Sequence, residues 1–358
     1  MQVVGLQGAL LALGFDVEVI DFHPKKIDVE SLSGLDRKLH ILFSEFRAKH
    51  LNLTPTTYYD ASKLDALDAD ILIVGSDQVW NTSLSIVHEN IEAYFLGFGS
   101  KTLKRIAYVA SNGGALVNSM QKQKVQEMLD GFSAISIREK EVAYMLEPLD
   151  RTAPIVVPDP SLLWHDYPIN KPMINLPEKF IVLYALQPTF FVRDVIYKAK
   201  KKFNLPVVNI SLQRHEGVDI NAIDIDPSQW LYLIDNADFV ITNSFHGMVF
   251  SIKRKKQFLV IPLEGRGRLN RRKKKLTKFF DNVCLGRVNK LLDFKYDYNN
   301  SKNNRFYSHL DVLHLESRAV KTRDDALRCF DEKIDYSKVE SAMSVFIKTG
   351  LGFLKKSL

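Results

Sequence analysis

Ala237 to Ile252 reads A-D-F-V-I-T-N-S-F-H-G-M-V-F-S-I, a stretch that sets a titratable imidazole beside a ready-made anion site. The β-branched run from Phe239 to Thr242 has the character of a buried parallel strand. It breaks at Asn243-Ser244, and apolar periodicity restarts at Phe245. Strand, polar turn and helix start is how open α/β sheets offer ligand-binding groups at strand carboxyl ends. His246 and Gly247 then fall in the first helical turn, where free N–H groups and the helix dipole favour an anion. A histidine there can exchange protons near neutral pH. The competing reading is a cap or a satisfied core imidazole.

Other candidates also follow strand-like runs. In Gly75-Ser76-Asp77-Gln78-Val79-Trp80-Asn81, Asp77 could act as a base or, with Ser76, orient an acceptor hydroxyl. Trp80 offers a flat face for a sugar; the alternative is a capping turn with a core tryptophan. Arg138 closes the run A-I-S-I-R, where a guanidinium could hold a carboxylate or phosphate in bidentate fashion, unless the adjacent Glu139 neutralises it. Tyr108 to Gly114 (Y-V-A-S-N-G-G) ends in small residues that let backbone approach a ligand. Asp159-Pro160 reads as structural, shaping a linker. Asn270 and Arg272 lie in a basic stretch and could reach a cleft. The chain carries no H-x-x-x-H or Cys/His metal spacing, no G-x-S-x-G elbow and no G-x-G-x-x-G loop.

These residues need a scaffold of parallel strands. Apolar runs at 17–22, 71–75, 106–110, 134–138 and 155–157 fill the first half, and runs at 180–186, 207–210, 239–242 and 258–262 fill the second. Helical patterns alternate with them, which predicts parallel sheets covered on both faces. Pro160, Pro168, Pro172 and Pro177 mark a linker over Asp159 to Glu178. The expected organisation is a first Rossmann-like domain at 1–165, a second at 178–335, and a helix over 336–358 packing back. A helix pattern (Val4 to Leu13) opens the chain, so the first strand of a doubly wound domain, with its turn, is expected to be missing.

With 46% hydrophobic and 25% charged residues in 358, the composition is that of a soluble globular protein of two domains. Two cysteines, Cys284 and Cys329, give no disulfide framework and suit a reducing cytosol. The net charge of +7 is concentrated in Lys253 to Lys256 and in Arg266 to Lys275. Without interleaved aromatics, these clusters argue against a nucleic-acid partner. A solvated face, an anionic substrate or an anionic membrane surface stay open for the stretch 266–275.

Taken in order, L-Q-G-A-L-L-A-L-G-F-D-V-E-V-I-D-F, G-S-D-Q-V-W-N, Y-V-A-S-N-G-G, S-I-R-E-K, V-V-P-D-P-S-L-L-W, T-N-S-F-H-G-M-V-F-S-I and N-R-R resemble the polysaccharide pyruvyl transferase family. The likeness runs from about Leu6 to Lys275, and I-D-Y-S-K-V-E near the end is similar too. It implies a GT-B-like α/β fold, two Rossmann-like doubly wound domains facing a cleft, with the acceptor on the first and the donor on the second. It implies transfer of a pyruvyl group from phosphoenolpyruvate, a co-substrate, to a sugar or lipid-linked glycan as a ketal, with no metal or other cofactor. By the resemblance, His246 is the acid/base, with Asp77 as its catalytic companion. Arg138, Ser244 and Gly247 bind the donor, with Arg272 adding positive charge there; Asp77 and Asn243 face the acceptor or orient His246, and the residues read above at the same turn, Ser76 and Trp80, fall on the acceptor-binding or orienting side. The setting is the cytoplasm, with the inner membrane face as a variant. Family members carry S-F-G where this chain has Ser111-Asn112-Gly113. The rivals are a nucleotide-sugar glycosyltransferase and a non-catalytic glycan-binding relative.

Overall fold

The computed structural model describes residues 1–115, 117, 121–145, 154–263 and 306–358. Within them the strands are β1 (Val19–Phe22), β2 (Leu53–Tyr58), β3 (Ile71–Val74), β4 (Lys104–Ala110), β5 (Ala134–Ile137), β6 (Ile155–Val156), β7 (Ile181–Tyr184), β8 (Val207–Asn209), β9 (Ile220–Asn221), β10 (Phe239–Thr242) and β11 (Gln257–Val260). The helices are α1 (Gln2–Ala12), α2 (Gly34–His50), α3 (Ser85–Glu89), α4 (Ile91–Tyr94), α5 (Lys122–Asp130), α6 (Pro160–Leu163), α7 (Phe190–Phe203), α8 (Pro227–Asn236), α9 (Phe245–Lys253), α10 (Arg323–Asp331) and α11 (Tyr336–Ser357).

Every strand pair is parallel, as near-continuous apolar runs separated by helices require. The C-terminal sheet has the order β11-β10-β7-β8-β9, so β7 and β10 are central and buried. The N-terminal strands make two sheets, β3-β4-β5-β6 and β1-β2. α1 is the first element, and β1 and β3 each have one neighbour only among the described strands. The strand over 53–58 escaped the pattern reading because L-T-P-T-T-Y is polar and carries a proline, as edge strands do.

Three elements join the halves. Phe46 of α2 enters the apolar core built around β7, β10 and α9, and Lys38 pairs with Asp224 at 2.5 Å. α11 contributes Val339 and Phe346 to that same core, while Leu354 packs with Tyr108, Val109 and Val157 of the N-terminal half. The start of the expected linker is ordered as α6, while residues 164–178 carry no helix or strand. Asp159 caps α6 by accepting from Ser161 N–H at 3.0 Å, Pro160 occupies the first turn, and α6 packs between α1 and α9. The two halves thereby meet at the carboxyl ends of β3, β5 and β10.

Candidate active site

The T-N-S-F-H-G turn is built side chain by side chain. Thr242 Oγ1 donates to Tyr184 O at 2.7 Å and accepts from Ser244 N–H at 3.0 Å, fixing the turn to the neighbouring strand. Asn243 accepts from Leu186 N–H at 2.5 Å and donates to Gln187 O at 3.0 Å. Ser244 caps α9 through Gly247 N–H at 3.5 Å. Gly247 is required by close packing, since a Cβ there would stand 2.3 Å from Thr242 Oγ1 and 2.9 Å from Tyr184 Cδ1. With those groups occupied, Phe245 and His246 are the side chains of the turn that reach toward the other half.

Its Nε2 lies 3.9 Å from Asp159 Oδ2. That exceeds hydrogen-bond length, yet both atoms are buried and neither has a hydrogen-bond partner among the described residues. Asp159 Oδ1 is committed to Ser161, so Oδ2 is the oxygen turned to the imidazole. The ring keeps 21% of its side-chain surface exposed, away from the buried Nε2. Burial lowers the imidazole pKa below its ordinary value; Asp159 and Asp77 oppose this and Arg138 reinforces it. At neutral pH the ring is therefore neutral, with two carboxylates poised to favour its protonated form.

Arg138 approaches from β5, its guanidinium 4.5 Å over the Phe245 ring. Its fork donates to Glu139 Oε2 at 3.2 Å, Asp77 Oδ1 at 3.2 Å and Ser111 Oγ at 2.9 Å, and Ser111 in turn donates to Glu139. Partial burial works to raise the half-exposed Asp77 carboxyl, but Arg138, His246 and Gln2 outweigh it and hold it well below the usual carboxylate range. Asp77 takes a left-handed φ of 67°. Gly75, just before it, has φ 125°, and a Cβ there would meet Tyr108 O at 1.9 Å. The turn after β3 is thus pressed against β4, which carries Asp77 to Arg138.

Several expectations need correction. Arg138 is not an open clamp: it is fully buried and holds Asp77 and Glu139, the neutralising alternative. Asp77, so strongly held as an anion, is a poor base and a better charge partner. Trp80 offers no face to a sugar, because it is 1% exposed, stacked on Phe95 at 5.4 Å and edged by Phe132. Asn243 pins residues 186–187, and the Gly247 N–H is taken by Ser244, so neither points at a ligand. Ser76 is buried close to Asp77, and its hydroxyl has no hydrogen-bond partner among the described residues. Arg272, Asn270, Cys284 and the basic stretch 266–275 lie outside the described residues.

Two participants were not anticipated. Asp159 falls in the linker that the prolines predict, although D-P-S there is also a helix-start signature. His309, 150 positions away, accepts from Asp159 N–H at 3.1 Å through Nε2 and lies edge-on to Phe245. It is fully buried, and burial pushes its pKa down to about 3, so it stays a neutral acceptor. His246, Asp159, Asp77 and Arg138 therefore converge from both halves on one place. The polysaccharide pyruvyl transferase model matches residues 1–264.

The chain belongs to the polysaccharide pyruvyl transferase family. No curated protein matches it. Among solved structures it is similar to the UDP-GlcNAc 2-epimerase of Neisseria meningitidis bound to UDP-GlcNAc, at 11% identity and TM-score 0.38, covering 87% of this chain and 98% of that one. It is also similar to the UDP-GlcNAc 2-epimerase of Methanocaldococcus jannaschii, at 11% identity and TM-score 0.36, covering 96% of both chains. As a member of a pyruvyl transferase family it is a transferase of polysaccharide synthesis, and its family implies a glycan acceptor. No helix among the described residues is long and apolar enough to cross a membrane.

Proposed function

We propose that this pyruvyl transferase moves the pyruvyl group of phosphoenolpyruvate onto two hydroxyls of a cell-surface glycan precursor in the cytoplasm, leaving a cyclic ketal. The first step protonates the enol carbon and creates an oxocarbenium-like centre. A sugar hydroxyl attacks that centre, phosphate departs, and a second hydroxyl closes the ring. His246 is the proton donor and acceptor of this sequence. Asp159 favours its protonated form when the proton must be held, while Asp77 fixed by Arg138 supports the developing positive centre. The pairing of His246 with an unsatisfied Asp159 carboxylate oxygen, inside a family of this activity, carries the reading.

One observation favours a second reading. The described cluster sets one guanidinium, Arg138, against three carboxyl groups, Asp77, Glu139 and Asp159, an acid-rich setting for a multiply anionic donor. A non-catalytic glycan-binding relative would need no donor affinity at all. Incubation with phosphoenolpyruvate and glycan oligosaccharides, read by phosphate release and product mass, separates the two. Stoichiometric phosphate and a pyruvylated glycan support the transferase. Calorimetric silence toward phosphoenolpyruvate, with glycan binding intact, supports the binding module.

A further inference from the structure

Beyond the carboxyl ends of β7 and β8 lies a groove of about 380 Å³, bounded by the first turns of α7 and by residues 214–216. Its floor is unusual for a soluble surface. Phe190, the first residue of α7, is 81% exposed. Arg193, one turn further on, lays its guanidinium 5.0 Å over the Phe190 ring and pairs with Glu216 at 2.5 Å. Positions 190 and 193 both line the groove, so ring and cation face the opposite wall together. Chemistry that leaves a phenyl ring in water, with a cation already docked on it, prepares a platform.

The opposite wall supplies polar groups. Arg214 is exposed and has no hydrogen-bond or ion-pair partner among the described residues. His215 Nε2 engages Ala185 O at 3.1 Å, which leaves Nδ1 as an acceptor, and burial holds the imidazole below its ordinary pKa. An apolar ring face flanked by guanidinium, carboxylate and neutral imidazole matches a sugar ring, with its C–H face and surrounding hydroxyls. Two guanidiniums against one carboxylate leave a surplus of a single positive charge. That fits a neutral sugar or a uronate better than a nucleoside diphosphate, whose phosphates would meet Glu216.

The groove is also tied to the site. Asn243, three residues before His246, fixes the backbone of Leu186 and Gln187, and His215 holds Ala185 in the same segment. The next residues, 188–190, form the groove wall. We infer that this groove is a glycan-binding subsite, in which Phe190 stacks on a sugar ring while Arg214 and Arg193 engage its hydroxyls or carboxylate. That the bound glycan is the acceptor rests on the pyruvyl transferase reading; its binding does not. It places an acceptor contact on the C-terminal half, opposite to the expected division of labour.

The test uses the full chain against an array of neutral and uronate-containing oligosaccharides, with wild type, Phe190→Ala and Arg214→Ala compared. Both side chains are exposed and make no core contact, so the variants should fold. The subsite predicts binding by wild type and a loss of about tenfold in each variant. Absence of binding to any printed glycan, unchanged affinity in both variants, or displacement of the glycan by uridine diphosphate overturns it. Phosphate release from phosphoenolpyruvate is scored separately. Glycan binding without turnover contradicts the reaction while sparing the subsite, and turnover with unchanged glycan affinity in both variants does the reverse.

Discussion

His309 makes a quantitative prediction about acid stability. Its ring is fully buried, touches Phe245 and Phe346 edge-on, and accepts from the Asp159 backbone, so protonation on Nε2 would break that bond and bury a charge that Arg138 and His246 oppose and Asp159 only partly offsets. The folded pKa, pushed down to about 3, stands against an unfolded value of 6.5. Between those values the unfolded chain carries a proton that the folded chain refuses. Stability is therefore complete above pH 6.5 and is lost as pH falls toward 3. For one such group the loss from pH 6 to pH 4 is roughly 2–3 kcal/mol. Urea unfolding of wild type and His309→Gln at pH 7, 6, 5 and 4 isolates this contribution, because the carboxylates titrate in both. The glutamine variant, uncharged throughout and still offering an acceptor, should lose less stability by about that amount. Parallel stability profiles, or an NMR titration of His309 centred near 6.5, would refute the reasoning.

Two further outcomes follow from the same geometry. Gly247→Ala drives a methyl into Thr242 and Tyr184 at the start of α9, and thermal unfolding should register a loss of about 1–3 kcal/mol, with an unchanged midpoint contradicting the tight packing. Asp159→Asn removes a group that raises the His246 pKa, so the imidazole titration, read by NMR, should move further down. An upward or absent shift would mean that the carboxylate does not act on the ring.

Much of the fold is legible because burial writes itself into runs of apolar residues. Phe239–Thr242 matches its expected strand residue for residue, and the N-terminal runs fall within a residue or two. The active-site turn is legible for a similar reason: polar residues that interrupt an apolar pattern stand out. What those residues touch is another matter. Trp80 looks alike as a sugar platform or as core, and only the positions of Phe95 and Phe132 decide it. Arg138 could be read either way until Asp77, 61 positions away, came to meet it. Asp159 hides its part most fully, since its carboxylate does two jobs: one oxygen caps α6, which the local motif discloses, and the other faces His246, which nothing local discloses.

The account stands on the imidazole at position 246, and the most direct measurement is the turnover of His246→Gln with phosphoenolpyruvate and an acceptor glycan, its folding verified by circular dichroism. Loss of the acid/base group should lower the rate by about a hundredfold or more. A variant that releases phosphate and pyruvylates the glycan at the wild-type rate would contradict the assignment.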